Sequence, residues 1–380
     1  MTLRMSYNRL CREDFNEKLR RSRSVQVNYN AKEAMSKNLI GQDVFDLVQS
    51  SYTANTLYVL TKARVFDRLL RQPATTAQLA SDLDLDASIL RDLLSFAQAI
   101  RFVKLKDDTF SLGRSALPLT EKSGSWLRSY LLVWGEQLNP AFSKLGDQLA
   151  TGANAFALAN GEPIWDFYAN HPEQNALFVE YMGAVTHQVH LAAVVDGLDI
   201  GEAQRLLDVA GGTGSFACGL AQRHPGLVAD VCDQPSNRTN ATARIAARAM
   251  QDRCHFIGAN IFNHIPSDYD LYTIKHVLHD WDDANAAAIL LHIAEAMRGD
   301  ARLVIIEGVL DRSFDDAVDE KGYLHARNIE QRVWTQGRVR TRADFESLCA
   351  AAGLRLEKIS HSAIFDTSFL TCSPIASTEG

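Results

Sequence analysis

The sequence predicts an α/β protein: a seven-stranded, doubly wound, mostly parallel sheet preceded by an all-helical half with a winged-helix-like portion. Three observations carry this. From about residue 204, short apolar runs alternate with helical stretches. The first of those runs ends in a glycine turn that opens a helix, and residues 42–200 instead repeat apolar positions three and four apart. At 380 residues, 46% hydrophobic and 22% charged, the chain is long enough for more than one core and is far from a disordered composition.

Residues 1–40 read as a basic arm. They hold nine Lys/Arg against four Asp/Glu, a surplus of five, so a net charge of −7 leaves the remainder near −12. Its apolar residues form no sustained stripe, which favours a solvated arm or a helix exchanged in a dimer over a membrane anchor. No run approaches the ~18–20 apolar residues that span a bilayer, and the first residues lack an apolar signal core, so a cytoplasmic protein with no membrane partner is expected. Cys11, Cys218, Cys232, Cys254, Cys349 and Cys372 contain no C-x-x-C pair, so free thiols are expected rather than a metal cluster or disulfide framework.

Residues 41–200 form the helical domain. Within it, TTAQLASDLDLDASILRDLLSFAQAIRFVKLKDDTFSLG predicts two short helices, capped by Thr75 or Thr76 and by Asp86, then a hairpin through Lys106, Asp107 and Asp108. That winged-helix pattern raises DNA binding. Residues 41–120, however, balance nine Lys/Arg with nine Asp/Glu, without the cationic excess that phosphate contacts need. The second helix is mostly apolar, which suits packing against a partner, so dimerisation is expected and no nucleic acid.

Residues 201–380 form the sheet domain. Its apolar runs are RLLDVA, LVADVCD, CHFIGANIF, DLYTIKHV, RLVIIEGVL, LRLEKIS and SFLTCSP, with helical stretches such as FACGLAQRH, TNATARIAARAMQ and ANAAAILLHIAEAMR between. Parallel strands need helical crossovers, and only a short link joins the last two, so the final strand is expected to be antiparallel.

The first strand runs into LLDVAGGTGSFACGLAQRHPG. Gly211, Gly212 and Gly214 let a cofactor approach the backbone at the carboxyl end of the strand. Gly212-x-Gly214-x-x-Ala217 also satisfies the dinucleotide fingerprint, and Asp233 at the end of the second strand suits a ribose in either case, so a nicotinamide oxidoreductase stays open on these residues alone. In KHVLHDWDD, Lys275 ends a strand, His279 is a candidate base, and Asp282 or Asp283 caps a helix expected to reach Arg298.

LLDVAGGTGSF, the acid of VCDQP, NIF, IKHVLHDWDD, VIIEGVL and GRVRTRADFESLCAAAGL together resemble class I S-adenosylmethionine-dependent O-methyltransferases of the plant caffeate and hydroxyindole type, with their bacterial natural-product relatives, over residues 42–374. The resemblance implies a Rossmann-like methyltransferase sheet and a homodimer formed through the helical domain. It implies S-adenosylmethionine as cofactor, leaving S-adenosylhomocysteine, and a hydroxyl, most simply phenolic, of a small secondary metabolite as acceptor.

Carried over by position, it sets the cofactor against Ala210 and Gly211, its ribose at Asp233, its adenine near Asn260 and Ile261, and Lys275 near its methionine end. His279 becomes the general base, Glu307 the acid orienting it, and Phe178 and Met182 acceptor-facing residues. Trp126, Trp134, Trp165 and Phe167 are further lining candidates, while His187 and His190 read as surface or satisfied histidines. Four positions depart from the family pattern. Val339 stands where plant members carry a second glutamate, and Ala210 replaces the first of three glycines, tolerable if the turn there has negative φ. Ala259-Asn260 replaces Gly-Asp, and Asn328 replaces an aspartate opening a helix. These departures leave N- or C-methylation, or a non-methyl reaction on the same scaffold, as alternatives.

Overall fold

The computed structural model describes the backbone of residues 29–310, 322–362 and 367–375, with side chains from residue 44. Most of the basic arm, and Cys11 with it, lies outside the described residues. The chain divides after Leu57 into two units. The first is carried by the helix Tyr29–Lys62, on which Val44, Phe45, Leu47, Val48 and Tyr52 are all more than half exposed.

The second unit opens with the helices Val65–Arg71, Thr76–Leu83 and Ala87–Ala99 and a small sheet of β1 (Ala74–Thr75), β2 (Val103–Lys106) and β3 (Thr109–Leu112), in the order β1-β3-β2. Local chemistry sets the boundaries. Thr75 and Gln78 close a capping box, and the Asp86 carboxylate accepts from the Ile89 amide. The hairpin turns on Asp107 and Asp108 alone, at φ 48 and 62, the two-residue geometry that matches strand twist. Lys106, expected in the turn, is therefore the last residue of β2.

The large sheet comprises β4 (Arg205–Val209), β5 (Val228–Asp233), β6 (Phe256–Gly258), β7 (Leu271–Lys275), β8 (Arg302–Glu307), β9 (Leu354–His361) and β10 (Ser368–Pro374). Its order is β6-β5-β4-β7-β8-β10-β9, with β10 antiparallel to both neighbours and the first five strands parallel. The final strand thus runs as its short link requires.

Side chains alternate between two covers, as the two-residue strand period dictates. Leu206 and Ile306 join Phe216, Leu220 and Ile245 on one face, while Leu207 and Ile305 join Ile289, Leu290 and Phe345 on the other. Full burial of each such side chain stabilises the fold by about 1.5–3 kcal/mol. The helix that starts at Asp283 is capped by Asp282, which accepts from the Asn285 amide, and ends at Ala296, short of the expected Arg298. Among the described residues, five cysteines are free and buried. Cys349 and Cys372, distant in sequence, bring their sulfurs to 3.6 Å.

Candidate active site

The carboxyl ends of the parallel strands gather the loops with chemistry. After β4 the chain turns through Ala210, Gly212 and Gly214, all left-handed, with φ 55, 57 and 75. The expectation of a negative φ at Ala210 is therefore overturned: the tight turn into the helix Ser215–Arg223 needs the left-handed basin at its first position, and alanine occupies it at a steric cost. A Cβ on Gly211 would collide with Asp208 Oδ2 and crowd Val231, whereas one on Gly212 would enter open space above the turn. Gly211 is thus required by packing, and Gly212 leaves a bare backbone facing the opening.

Asp208 is buried, and desolvation pushes its carboxyl up to about 7 against the opposing pull of Lys275 and of Thr273, whose hydroxyl donates to Oδ1 at 3.0 Å. Its Oδ2 has no hydrogen-bond partner among the described residues. Asp233, at the end of β5, accepts from the amides of Gly212 (2.7 Å) and Gln234 (2.6 Å) and from Asn237 Nδ2 (2.8 Å), so it ties the glycine turn to the next loop. Asn260 turns its side-chain oxygen back to the Phe262 amide at 3.0 Å, a loop-capping bond. Beside it, Ile261 packs partly buried against the core.

β7 and β8 are neighbours, and this brings the candidate base and the candidate acid together. His279 lies in a single 3-10 turn, Leu278–Asp280, that follows β7, and Glu307 is the last residue of β8. His279 Nδ1 stands 2.6 Å from Glu307 Oε2, while Glu307 Oε1 accepts from the amides of Val277 (2.9 Å) and His279 (3.3 Å). Burial disfavours charge on His279, but the Glu307 carboxylate, and then Asp280, outweigh it and raise the imidazole above its ordinary 6.5. Burial likewise opposes charge on Glu307, yet His279 and His276 hold its carboxyl well below the usual range. The ionised carboxylate has no proton to give, so Nδ1 carries the hydrogen and Nε2 is left as acceptor.

Sequence reasoning passed over two members of this cluster. Asp280 sits 3.6 Å from His279 Nε2, and desolvation lifts its carboxyl to about 6. His276, left-handed at φ 52, lies 3.7 Å from Glu307 Oε2, stacks on His190 at 5.0 Å, and is lowered by burial to about 4, hence neutral. His190 is accordingly a partnered residue.

His276, His279 and Glu307 place donor atoms within 4.8 Å of one another. Metal bonds of ~2.0–2.2 Å at ordinary angles would spread two ligand atoms to about 3 Å or more, so the 2.6 Å between His279 and Glu307 fits a shared proton.

The segment Gly337–Thr341 holds the loop of the base in place. A Cβ on Gly337 would overlap the His279 carbonyl. Arg340, fully buried, donates to the carbonyls of Leu278 (2.6 Å) and Trp281 (2.8 Å) and to Asp283 (2.9 Å). Val339 is buried, and its amide donates to Asn328 Oδ1 at 3.0 Å. Asn328 lies inside the helix Tyr323–Trp334 and does not open it, contrary to expectation, because that helix begins at Tyr323.

Of the acceptor candidates, Phe178 stacks on Tyr168 at 4.7 Å and meets Trp165 and Trp334 edge-on, and Met182 packs partly buried in the same helical cluster. Trp165 also stacks on Trp281 at 6.1 Å, next to the base's turn. A cavity of about 350 Å³ is lined by Trp126 and Trp134, as expected, but not by Phe178 or Met182. Its other walls include Tyr130, Tyr181, and the face of the helix Tyr323–Trp334 that presents Tyr323, Arg327 and Glu330. The i, i+4, i+7 spacing of those last three was the available signal.

Compared with known proteins, residues 142–355 match the family model described as an O-methyltransferase domain. The mitomycin biosynthesis 6-O-methyltransferase of Streptomyces lavendulae is 29% identical over 325 residues, 83% of this chain and 90% of that protein. The 8-amino-8-demethylriboflavin N,N-dimethyltransferase of Streptomyces davaonensis is 30% identical over 310 residues, 79% of this chain and 86% of that protein. Among solved structures, the mitomycin 7-O-methyltransferase MmcR superposes with a TM-score of 0.82 at 26% identity, over 90% of this chain and 99% of that one.

Proposed function

Because the chain belongs to the O-methyltransferase domain family, we propose that it moves the methyl group of S-adenosylmethionine to a hydroxyl, most simply phenolic, of a small secondary metabolite, with His279 as general base. One observation carries the assignment of the base: the 2.6 Å bond from His279 Nδ1 to the buried Glu307 carboxylate, which leaves Nε2 as proton acceptor beside Asp280.

The residues present suit the cofactor. Gly212 keeps side-chain atoms out of the space above the turn, Asp233 has lone pairs left for ribose hydroxyls after its three bonds, and Lys275 and Asp208 set the charge balance beneath. Ala210 and Gly211 supply backbone at the turn, and Asn260 with Ile261 borders the adenine end. When bound, the cofactor supplies an electrophilic sulfonium methyl, so the chemistry left to the protein is alignment and proton removal. His279 Nε2 takes the acceptor's proton as the oxygen attacks. Glu307 and Asp280 stabilise the resulting imidazolium, and Glu307 also fixes the ring plane. The second acid that Val339 cannot supply is then provided from within the same turn by Asp280.

The functional boundaries follow: residues 41–200 dimerise and line the acceptor, through Trp126 and Trp134 at the cavity with Phe178 and Met182 packed in the helical cluster beside it, and residues 201–380 bind the cofactor. The homodimer is supported by the exposed apolar face around Leu47 and Val48. No helix among the described residues is long and apolar enough to cross a membrane. A cytoplasmic location is supported by cysteines spaced without the pattern of a disulfide framework.

The test is incubation with methyl-labelled S-adenosylmethionine and a panel of phenols. Label on oxygen is the expected result; label confined to nitrogen or carbon, or none transferred, would overturn the reading.

A further inference from the structure

The aromatic cavity carries an electrostatic feature that methyl transfer itself does not use. Glu330 and Arg327 share one wall and approach to 3.5 Å, Arg327 Nη1 to Glu330 Oε2, and Arg327 also acts on the Tyr181 hydroxyl. Glu330 Oε1 is buried with no hydrogen-bond partner among the described residues. A buried carboxylate oxygen without a donor is costly, so the site is short of one donor.

Around it stand the rings of Tyr130, Tyr181, Tyr323, Trp126 and Trp134, with Tyr130 and Tyr181 tilted against each other at 5.3 Å. Electron-rich ring faces next to a carboxylate form the environment that attracts an organic cation. An anionic substituent would meet the Glu330 charge and those same faces, and would have to compete for an Arg327 already engaged. The charge of Arg327, on the cavity wall, also acts on both His279 and Asp280.

We propose that this cavity selects aromatic acceptors bearing a protonated amine, the ammonium lying between Glu330 and the faces of Tyr130, Tyr181 and Tyr323 while the hydroxyl is turned toward His279. The proposal rests on the cavity being the acceptor side of the methyl-transfer site, and it makes Glu330 a determinant of specificity.

Three probes built on one 4-ethylphenol frame separate the possibilities: tyramine, 4-ethylphenol and 3-(4-hydroxyphenyl)propionate, titrated calorimetrically into the full chain saturated with S-adenosylhomocysteine. Tyramine is expected to bind about tenfold tighter than either of the others. In Glu330→Gln the tyramine to 4-ethylphenol affinity ratio should fall to near one, and in Arg327→Gln it should rise.

Tightest binding by the propionate overturns the proposal, as does an unchanged ratio in a Glu330→Gln protein that keeps its melting shift with S-adenosylhomocysteine. Should Glu330→Gln not fold, an Arg327→Gln ratio that fails to rise overturns it equally. The titrations need no turnover, so amine selection without any labelled product would sink the methyl-transfer reading and leave the cavity assignment standing.

Discussion

A histidine whose Nδ1 proton is committed to a buried carboxylate has one nitrogen left for chemistry, and its basicity follows that carboxylate. Replacing His279 by alanine should lower kcat by about 10²–10⁴-fold, the usual range for a lost general base, while calorimetric affinity for S-adenosylhomocysteine stays at the wild-type value. Only the neutral imidazole accepts a proton, so the rate should rise with pH through the folded-state value of His279, which Glu307 and Asp280 hold above 6.5. Glu307→Gln removes the largest raising influence. Its acidic limb should move to lower pH even as its maximum rate falls, and a limb that stays in place would show that Glu307 does not set the basicity. His279 and Glu307 could be named from the sequence because KHVLHDWDD and VIIEGVL resemble motifs of a known family, which carried both roles over. Asp280 and His276 stood beside them but gave no signal, since their roles depend on burial and, for His276, on a left-handed backbone.

At the scale of elements, turns decide what the strands can present. Ala210 adopts φ 55, so Ala210→Gly should raise the unfolding free energy by up to about 1 kcal/mol, with relieved left-handed strain exceeding glycine's added chain entropy. Gly211→Ala should cost about 1–3 kcal/mol by pushing a methyl into Asp208 and Val231. Chemical denaturation of both variants checks the pair, and equal midpoints would refute the geometry. The Gly337–Thr341 segment acts on the base through its backbone and through Arg340. Arg340→Met strands the carbonyls of Leu278 and Trp281, at ~1–3 kcal/mol each, and should reduce both thermal stability and kcat. Read linearly, Arg340 is one more surface cation among alternating arginines. Its burial is set by a carbonyl 62 positions away, a pairing that no local pattern encodes. The strand alternation and the Thr75 and Asp86 caps, by contrast, are local and were readable throughout.

For the whole molecule, the exposed row Val44, Phe45, Leu47, Val48 and Tyr52 is the kind of apolar surface that soluble chains cover by association. Sedimentation should give twice the chain mass, and Leu47→Glu with Val48→Lys should shift the protein toward a single copy; a monomeric wild type would refute the dimer. The fold class followed from composition and periodicity, and the antiparallel last strand from its short link, because layers of buried strands leave that signature along the whole chain. The aromatic cavity did not, since its walls come from helical stretches far apart in the sequence.

The position of β10 has a further consequence. It is the last described strand in the chain, yet it lies inside the sheet, between β8 and β9, and its Ser368 is in register with Glu307. During synthesis, the edge of β8 must therefore wait, unpaired, for the β9–β10 hairpin, and the surroundings of Glu307 are completed only when that hairpin docks. Competence for catalysis is thereby coupled to the synthesis of β10: a nascent chain stalled before residue 368 would hold the glycine turn and the His279 loop but no finished surroundings for Glu307.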